Sequence, residues 1–266
     1  VTYHANIVRQ KILEKVYQPL RHWFLNDVDR MVTTSPSYLS GNVVLNGYRE
    51  QTEAIAYSLD SQDNEVYSRP DSESLAKWRE RFNGRFFLFW GRLDYCKSLH
   101  ILLQAVADTD IPLVIVGDGP EAAALKQQAR DLQLNHVHFL GALPEEDKVA
   151  LLSLCYGVVF PSHLRSETLG ISLPEAAMHA KPMITSETGT GTAFLNIADE
   201  TGLVVPPEDT FALRAALMRL WDKPALAMQM GNFAQKRYQT IFNAEMMAKN
   251  YARLYVDVIS GNAKEP

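Results

Sequence analysis

Apolar and polar positions along the chain keep switching between two periods, and the switches mark its elements. "VTYH" is strand-like. From residue 7 to about 29, Ile12, Leu13, Val16, Tyr17, Leu20 and Phe24 recur at helical spacing and predict one long amphipathic helix. "RMVTTS" reads as a second strand, Ser35-Pro36 can open a short helix, and "TEAIAYSLD" reads as a third strand. The chain then turns polar through "SQDNEVYSRPDSES", with a short helix "LAKWRERF" before the pattern resumes. From there wholly apolar runs alternate with helical stretches: "RFFLFWGRL", "PLVIVGDG", "HVHFLGAL", "GVVFPS", "KPMITS" and "TGLVVPP" as strands. Between and after them fall "SLHILLQAVADT", "PEAAALKQQARDLQ", "PEEDKVALLSLC" and "DTFALRAALMRLWD", the last capped by Asp209 or Thr210, and a closing helix over about 244–259.

Strands that are apolar throughout, separated by helices, belong to a parallel sheet covered on both faces. The predicted class is therefore α/β, with a doubly wound Rossmann-like unit after a smaller α/β unit. The expected division is a partial first unit at 1–60, a linker at 61–83, a larger unit at 84–242, and a helix at 243–266 able to pack back on the first unit. The abrupt start inside a strand suggests a fragment lacking an N-terminal part.

Composition narrows the functions. The chain is 47% hydrophobic and 21% charged, enough for a real core, and a net charge of −5 disfavours a nucleic-acid binder. Cys96 and Cys155 lie in or beside apolar runs without CxxC spacing, as expected of reduced thiols in a cytosolic protein. No apolar run reaches transmembrane length. The predicted helix at about 7–29 carries Arg9, Lys11, Lys15 and Arg21 with Trp23 and Phe24, so peripheral contact with an anionic membrane stands beside plain core packing.

Candidate chemistry gathers where strands end. Gly117 and Gly119 form a GxGxxA turn that could cradle a dinucleotide, but "HVHFLGAL" offers no ribose-binding acid, so a nicotinamide oxidoreductase is the weaker alternative. Arg92 and Lys97 leave the strand "RFFLFW", where an open α/β sheet binds ligands, and suit a diphosphate. After "GVVFPS" come Glu167 and Glu175, with seven residues between them that include Gly170 and Pro174, the latter opening a helix. Carboxylates only accept hydrogen bonds, which suits sugar or ribose hydroxyls. Backbone amides around Leu169 to Ser172 could hold an oxygen-rich ligand. His4 ends the first strand, facing a cleft between the units.

In combination these segments resemble the family-4 retaining glycosyltransferases of the GT-B fold, from "VTYHANIVRQK" to "TGLVVPPEDTFAL". The specific matches are the E-x7-E pair Glu167 and Glu175 and "GRLDYCKSL", similar to a G-R-L-x3-K-G-L segment. The resemblance implies that Glu175 binds the ribose and Glu167 the transferred sugar, while Arg92 and Lys97 grip the diphosphate. It further implies donor contacts from Thr168, Leu169, Gly170 and Ile171, base contacts from Leu143 and Lys148, and a sugar contact from His4. No metal or other cofactor is implied; the partners are a nucleotide-sugar donor, GDP- or UDP-linked, and a glycan or lipid-linked acceptor. The expected activity is hexosyl transfer, mannose favoured, by a front-face route in surface polysaccharide or glycolipid synthesis. A cytoplasmic site, peripheral to the membrane, is expected.

The pattern is not followed everywhere. Asn6 replaces an acid, Ala56 and Ser58 alter the segment closing the first unit, Leu169 replaces an aromatic, and Ser98 replaces a glycine. Serine at 98 costs backbone freedom if that position needs a positive φ. Family members also carry a preceding half-domain that builds the acceptor site, so weak or no turnover is expected of this chain alone, and a non-catalytic nucleotide-binding module is the alternative from another class.

Overall fold

The computed structural model describes residues 1–3, 11–56, 58, 70–164, 172–189, 191–242 and 244–261, with side chains in the first helix described from residue 15. The first unit holds α1 (Lys11–Asp27), β1 (Met31–Thr33), α2 (Pro36–Gly41), a 3-10 helix (Leu45–Gln51) and β2 (Thr52–Ala54). β1 and β2 pair in parallel, and Thr2 bridges to Val32 in parallel on the other side. Ser35 caps α2, its hydroxyl accepting from the Tyr38 amide at 3.0 Å, with Pro36 supplying a ready-made first turn.

Successive residues of β1 face opposite ways, and the core divides accordingly. Met31 packs with Leu25 of α1 and with Tyr38, Leu45 and Tyr48. Val32 packs with Ile55 and with Leu254 of the last helix, α11 (Ala244–Ile259). The last helix thus covers one face of the small sheet and is fixed there by Arg253, paired with Glu53, and by Tyr251 against Thr2 at 3.3 Å.

α1 differs from expectation in the face it buries. Arg21 and Leu25, four apart, reach the core, whereas Val16 is 74% exposed and Trp23 68%, with Tyr17, Leu20 and Phe24 exposed beside them. A two-stranded sheet gives a helix a narrow footprint, so one seam is covered while Val16, Tyr17, Leu20 and Phe24 of the expected stripe are left at the surface.

The larger unit contains α3 (Ser72–Arg81), β3 (Phe87–Trp90), a 3-10 turn (Tyr95–Lys97), α4 (Leu99–Val106), β4 (Leu113–Val116), α5 (Ala122–Asp131) and β5 (Val137–Gly141). It continues through α6 (Glu145–Leu154), β6 (Gly157–Phe160), α7 (Ser172–Met178), β7 (Met183–Ser186), α8 (Gly191–Leu195), β8 (Gly202–Val205), α9 (Thr210–Asp222) and α10 (Pro224–Ile241). Six parallel strands run in the order β5-β4-β3-β6-β7-β8. This is the doubly wound order, with the chain reversing direction of travel between β3 and β6. "FLFW", "LVIV", "GVVF" and "MITS" are buried at every position, as strands covered on both faces must be. α3 lies within the stretch expected as linker and packs on α6, where Asp147 accepts from the Trp78 indole at 2.6 Å and from Lys77 at 2.9 Å.

Candidate nucleotide-sugar site

The carboxyl ends of β3 and β6 lie side by side where the strand order reverses, the place at which such sheets bind ligands. Two loops meet there. Residues 92–98 follow β3, and residues 161–164 follow β6.

The β3 loop is built by close backbone contact. A methyl group on Gly117 would lie 1.9 Å from the Gly91 carbonyl oxygen, and one on Gly119 would lie 2.6–2.8 Å from the Leu93 backbone. The Leu93 amide donates to Asp118 O at 2.9 Å, and the Gly91 amide to Val116 O at 3.0 Å. The GxGxxA turn therefore has a packing reason that does not involve a dinucleotide: its glycines let the β4 loop nest under the β3 loop.

Above that base the loop is tied to β6. Ser98 adopts φ 52, ψ 33, the left-handed conformation in which its glycine counterpart would be unstrained. Its hydroxyl lies 2.5 Å from His163 Nδ1, the His163 amide donates to Cys96 O at 3.1 Å, and the Tyr95 ring meets the His163 ring edge-on at 5.0 Å. Lys97 Nζ lies 4.4 Å over the Phe160 ring. Among the described residues Arg92 pairs with Asp94, its Nε 3.0 Å from a carboxylate oxygen, with the Arg92 side chain 73% exposed. An exposed pair of this kind is worth about 0–1 kcal/mol, so an anionic ligand can compete for the guanidinium.

Glu175 stands in the first turn of α7 and is 2% exposed. Trp90, the last residue of β3, donates its indole N–H to Oε2 at 2.7 Å, and Lys148 of α6 donates to Oε1 at 2.8 Å. Lys148 is also 2.6 Å from Glu145, one turn back on its own helix. Ser172 fixes the start of α7 by donating to the Trp90 carbonyl at 3.1 Å. Burial pushes the Glu175 carboxyl above the usual range against the opposing pull of Lys148 and Trp90. Burial also works against the Lys148 charge, but Glu175 and Glu145 together hold that ammonium above its ordinary value.

Of the residues expected at the site, Arg92, Lys97, Leu143, Lys148 and Glu175 are described. Glu175 and Lys148 are brought into contact, Arg92 and Lys97 share the loop that begins beside Trp90, and Leu143 is half-buried against the main core. His4, Glu167, Thr168, Leu169, Gly170 and Ile171 lie outside the described residues. Sequence reasoning missed Trp90 as part of the site, and it singled out Ser98 for its backbone without foreseeing the bond to His163. Trp90 did carry a signal, since a tryptophan ending a buried strand must find an acceptor for its N–H.

A family model described as glycosyl transferases group 1 matches residues 71–237, and the chain belongs to that family. Among curated relatives it is 54% identical over 244 residues to D-rhamnosyltransferase WbpZ of Pseudomonas aeruginosa, covering 92% of this chain and 63% of the relative. It is 42% identical over 263 residues to O-antigen chain mannosyltransferase C of Escherichia coli, covering 99% of this chain and 70% of that protein. The chain thus spans about two thirds of the length of these relatives. Among solved structures, Anabaena Alr3699/HepE in complex with UDP and glucose superposes with a TM-score of 0.82 at 19% identity, over 96% of this chain and 70% of that one. Sucrose-phosphate synthase from Thermosynechococcus elongatus superposes with a TM-score of 0.82 at 26% identity, over 98% and 67%. The fold is GT-B, with Rossmann-like units.

Proposed function

We propose that this chain carries the donor site of a family-4 retaining glycosyltransferase that moves a hexose from a nucleoside diphosphate sugar to a glycan or lipid-linked acceptor in surface polysaccharide synthesis. The observation that carries this reading is the Glu175 carboxylate, buried at the switch point and held by Trp90 and Lys148, next to a loop that offers Arg92 and Lys97. Glu175 would accept from ribose hydroxyls, while Arg92 and Lys97 neutralise the diphosphate as it leaves, the charge that grows in the transition state. Glu167 and His4 would hold the transferred sugar, and Thr168 with the amides of Leu169, Gly170 and Ile171 would support sugar and phosphate. Leu143 would pack on the base. The cations would take the part that a metal plays elsewhere, and no cofactor is assigned. Relatives named for rhamnose and mannose transfer support a sugar of manno configuration. The carrier favoured in this reading is GDP, with UDP next.

The test is a thermal-shift screen with GDP-mannose, UDP-glucose and UDP-N-acetylglucosamine. A true donor at a hundred times its Kd stabilises the native state by about 2.7 kcal/mol. Arg92→Ala should weaken that shift, and no shift with any of the three would overturn the reading. Retention by a front-face route predicts no glycosyl adduct on Glu167, and trapping one by mass spectrometry would replace that route with a covalent one.

Peripheral membrane contact belongs to the same proposal. Its support is the exposed stripe Val16, Tyr17, Leu20, Trp23 and Phe24 on α1, and among the described residues no helix is long and apolar enough to cross a membrane. Trp23→Ser should reduce cosedimentation with phosphatidylserine vesicles.

A further inference from the structure

The geometry points to Trp90 and Lys148 as positioning residues that set the Glu175 carboxylate to receive the two ribose hydroxyls of the donor as a pair. This inference rests on the donor reading above and assigns Lys148 a different task from the base contact expected of it.

A carboxylate has about four acceptor positions, two on each oxygen. At Glu175 one position on each oxygen is taken: the indole N–H fills one on Oε2 at 2.7 Å, and the ammonium fills one on Oε1 at 2.8 Å. Two donors on two different oxygens fix both the plane of the carboxylate and its rotation. Counting hydrogen bonds from the described residues, one position on each oxygen is left, and a vicinal diol presents two donors side by side in the matching arrangement. The clamp is itself fixed from three sides. Trp90 is the end of a buried strand, the Ser172 hydroxyl ties α7 to the Trp90 carbonyl, and Glu145 anchors Lys148 from its own helix. The Lys148 side chain is 18% exposed and lies between two carboxylates, so little freedom is left to it. A phenylalanine at 90 would fill the same space and leave Oε2 without its donor; a methionine at 148 would do the same to Oε1. Either change frees the carboxylate to turn.

A clamp acting through Glu175 affects ribose recognition alone, whereas an ion pair that only stabilises the fold affects every ligand alike. Calorimetric titration of the full chain with GDP and UDP, and with their 2′,3′-dideoxy counterparts, separates the two. In the unmodified protein the dideoxy ligand should bind more weakly than its ribonucleotide. In Trp90→Phe and in Lys148→Met the ribonucleotide should lose about tenfold or more, the scale of a lost hydrogen bond to a charged group, while the dideoxy ligand is unchanged. Circular dichroism melting identifies a variant that fails to fold, in which case the other variant decides. Equal weakening of both ligands, or unchanged ribonucleotide affinity, overturns the inference. An unmodified protein that binds neither nucleotide overturns instead the donor reading on which it rests.

Discussion

Ser98 shows what one residue can cost and return. Holding a non-glycine residue in the left-handed region costs roughly 1–2 kcal/mol, and the hydroxyl recovers about 0.5–1.5 kcal/mol through His163. Ser98→Gly should therefore leave stability within about 1 kcal/mol of the original, because relief of strain and loss of the bond offset. Ser98→Ala keeps the strain and loses the bond, so urea titration should rank it below both. At Gly117 the expectation is plainer: Gly117→Ala drives a methyl into the Gly91 carbonyl at φ 132 and should destabilise by about 1–3 kcal/mol or more, seen as a fall in Tm without ligand. At this scale the sequence revealed the kind of position but not its partner. The need for a positive φ at 98 was readable from a missing glycine. The bond from Trp90 to Glu175 was not, since it joins residues 85 apart in sequence and exists only once β3 and α7 are in place.

Elements were more readable when both their faces met the same environment. The runs at β3, β4, β6 and β7 needed no orientation to be recognised, and the Asp209 cap stands where the pattern put it, accepting from the Ala212 amide at 2.8 Å. α1 has one face to bury and several apolar positions to choose from, and its partner sheet decides which of them count. α3 is set by a similar outside choice. Burial alone would raise the Asp147 carboxyl, but hydrogen bonds from Lys77 and Trp78 and the Lys77 charge hold it below the usual range. With its folded value below the unfolded one, its stabilisation is present above about pH 3.9 and is lost as pH falls through the lower folded value. Asp147→Leu should cost about 1.5–3 kcal/mol at neutral pH, mostly through the buried Trp78 bond because Lys77 is half exposed, and should flatten the acid limb of stability against pH.

Across the whole molecule, the doubly wound class followed from the alternation of elements, whereas the order of six strands and the covering of the small sheet by α11 depend on contacts far apart in sequence. The chain crosses between units twice, and the crossings touch where the Ser58 hydroxyl donates to the Phe242 carbonyl. Leu254→Ala should remove about 2–5 kcal/mol of packing from the small sheet. Hydrogen exchange should then quicken at residues 31–33 and 52–54 and stay slow at 87–90 and 113–116. The pair Asp147 and Lys148 has a mechanical meaning at the same scale. Neighbours on a helix point roughly 100° apart, and here one is bolted to α3 while the other grips Glu175. α6 is thus keyed like a shaft in a slot: rolling it either way stretches one bolt or the other. On the donor reading proposed above, a change at Trp78 would reach the ribose as a small rotation of the carboxylate, and the accuracy of the grip would be set partly from α3.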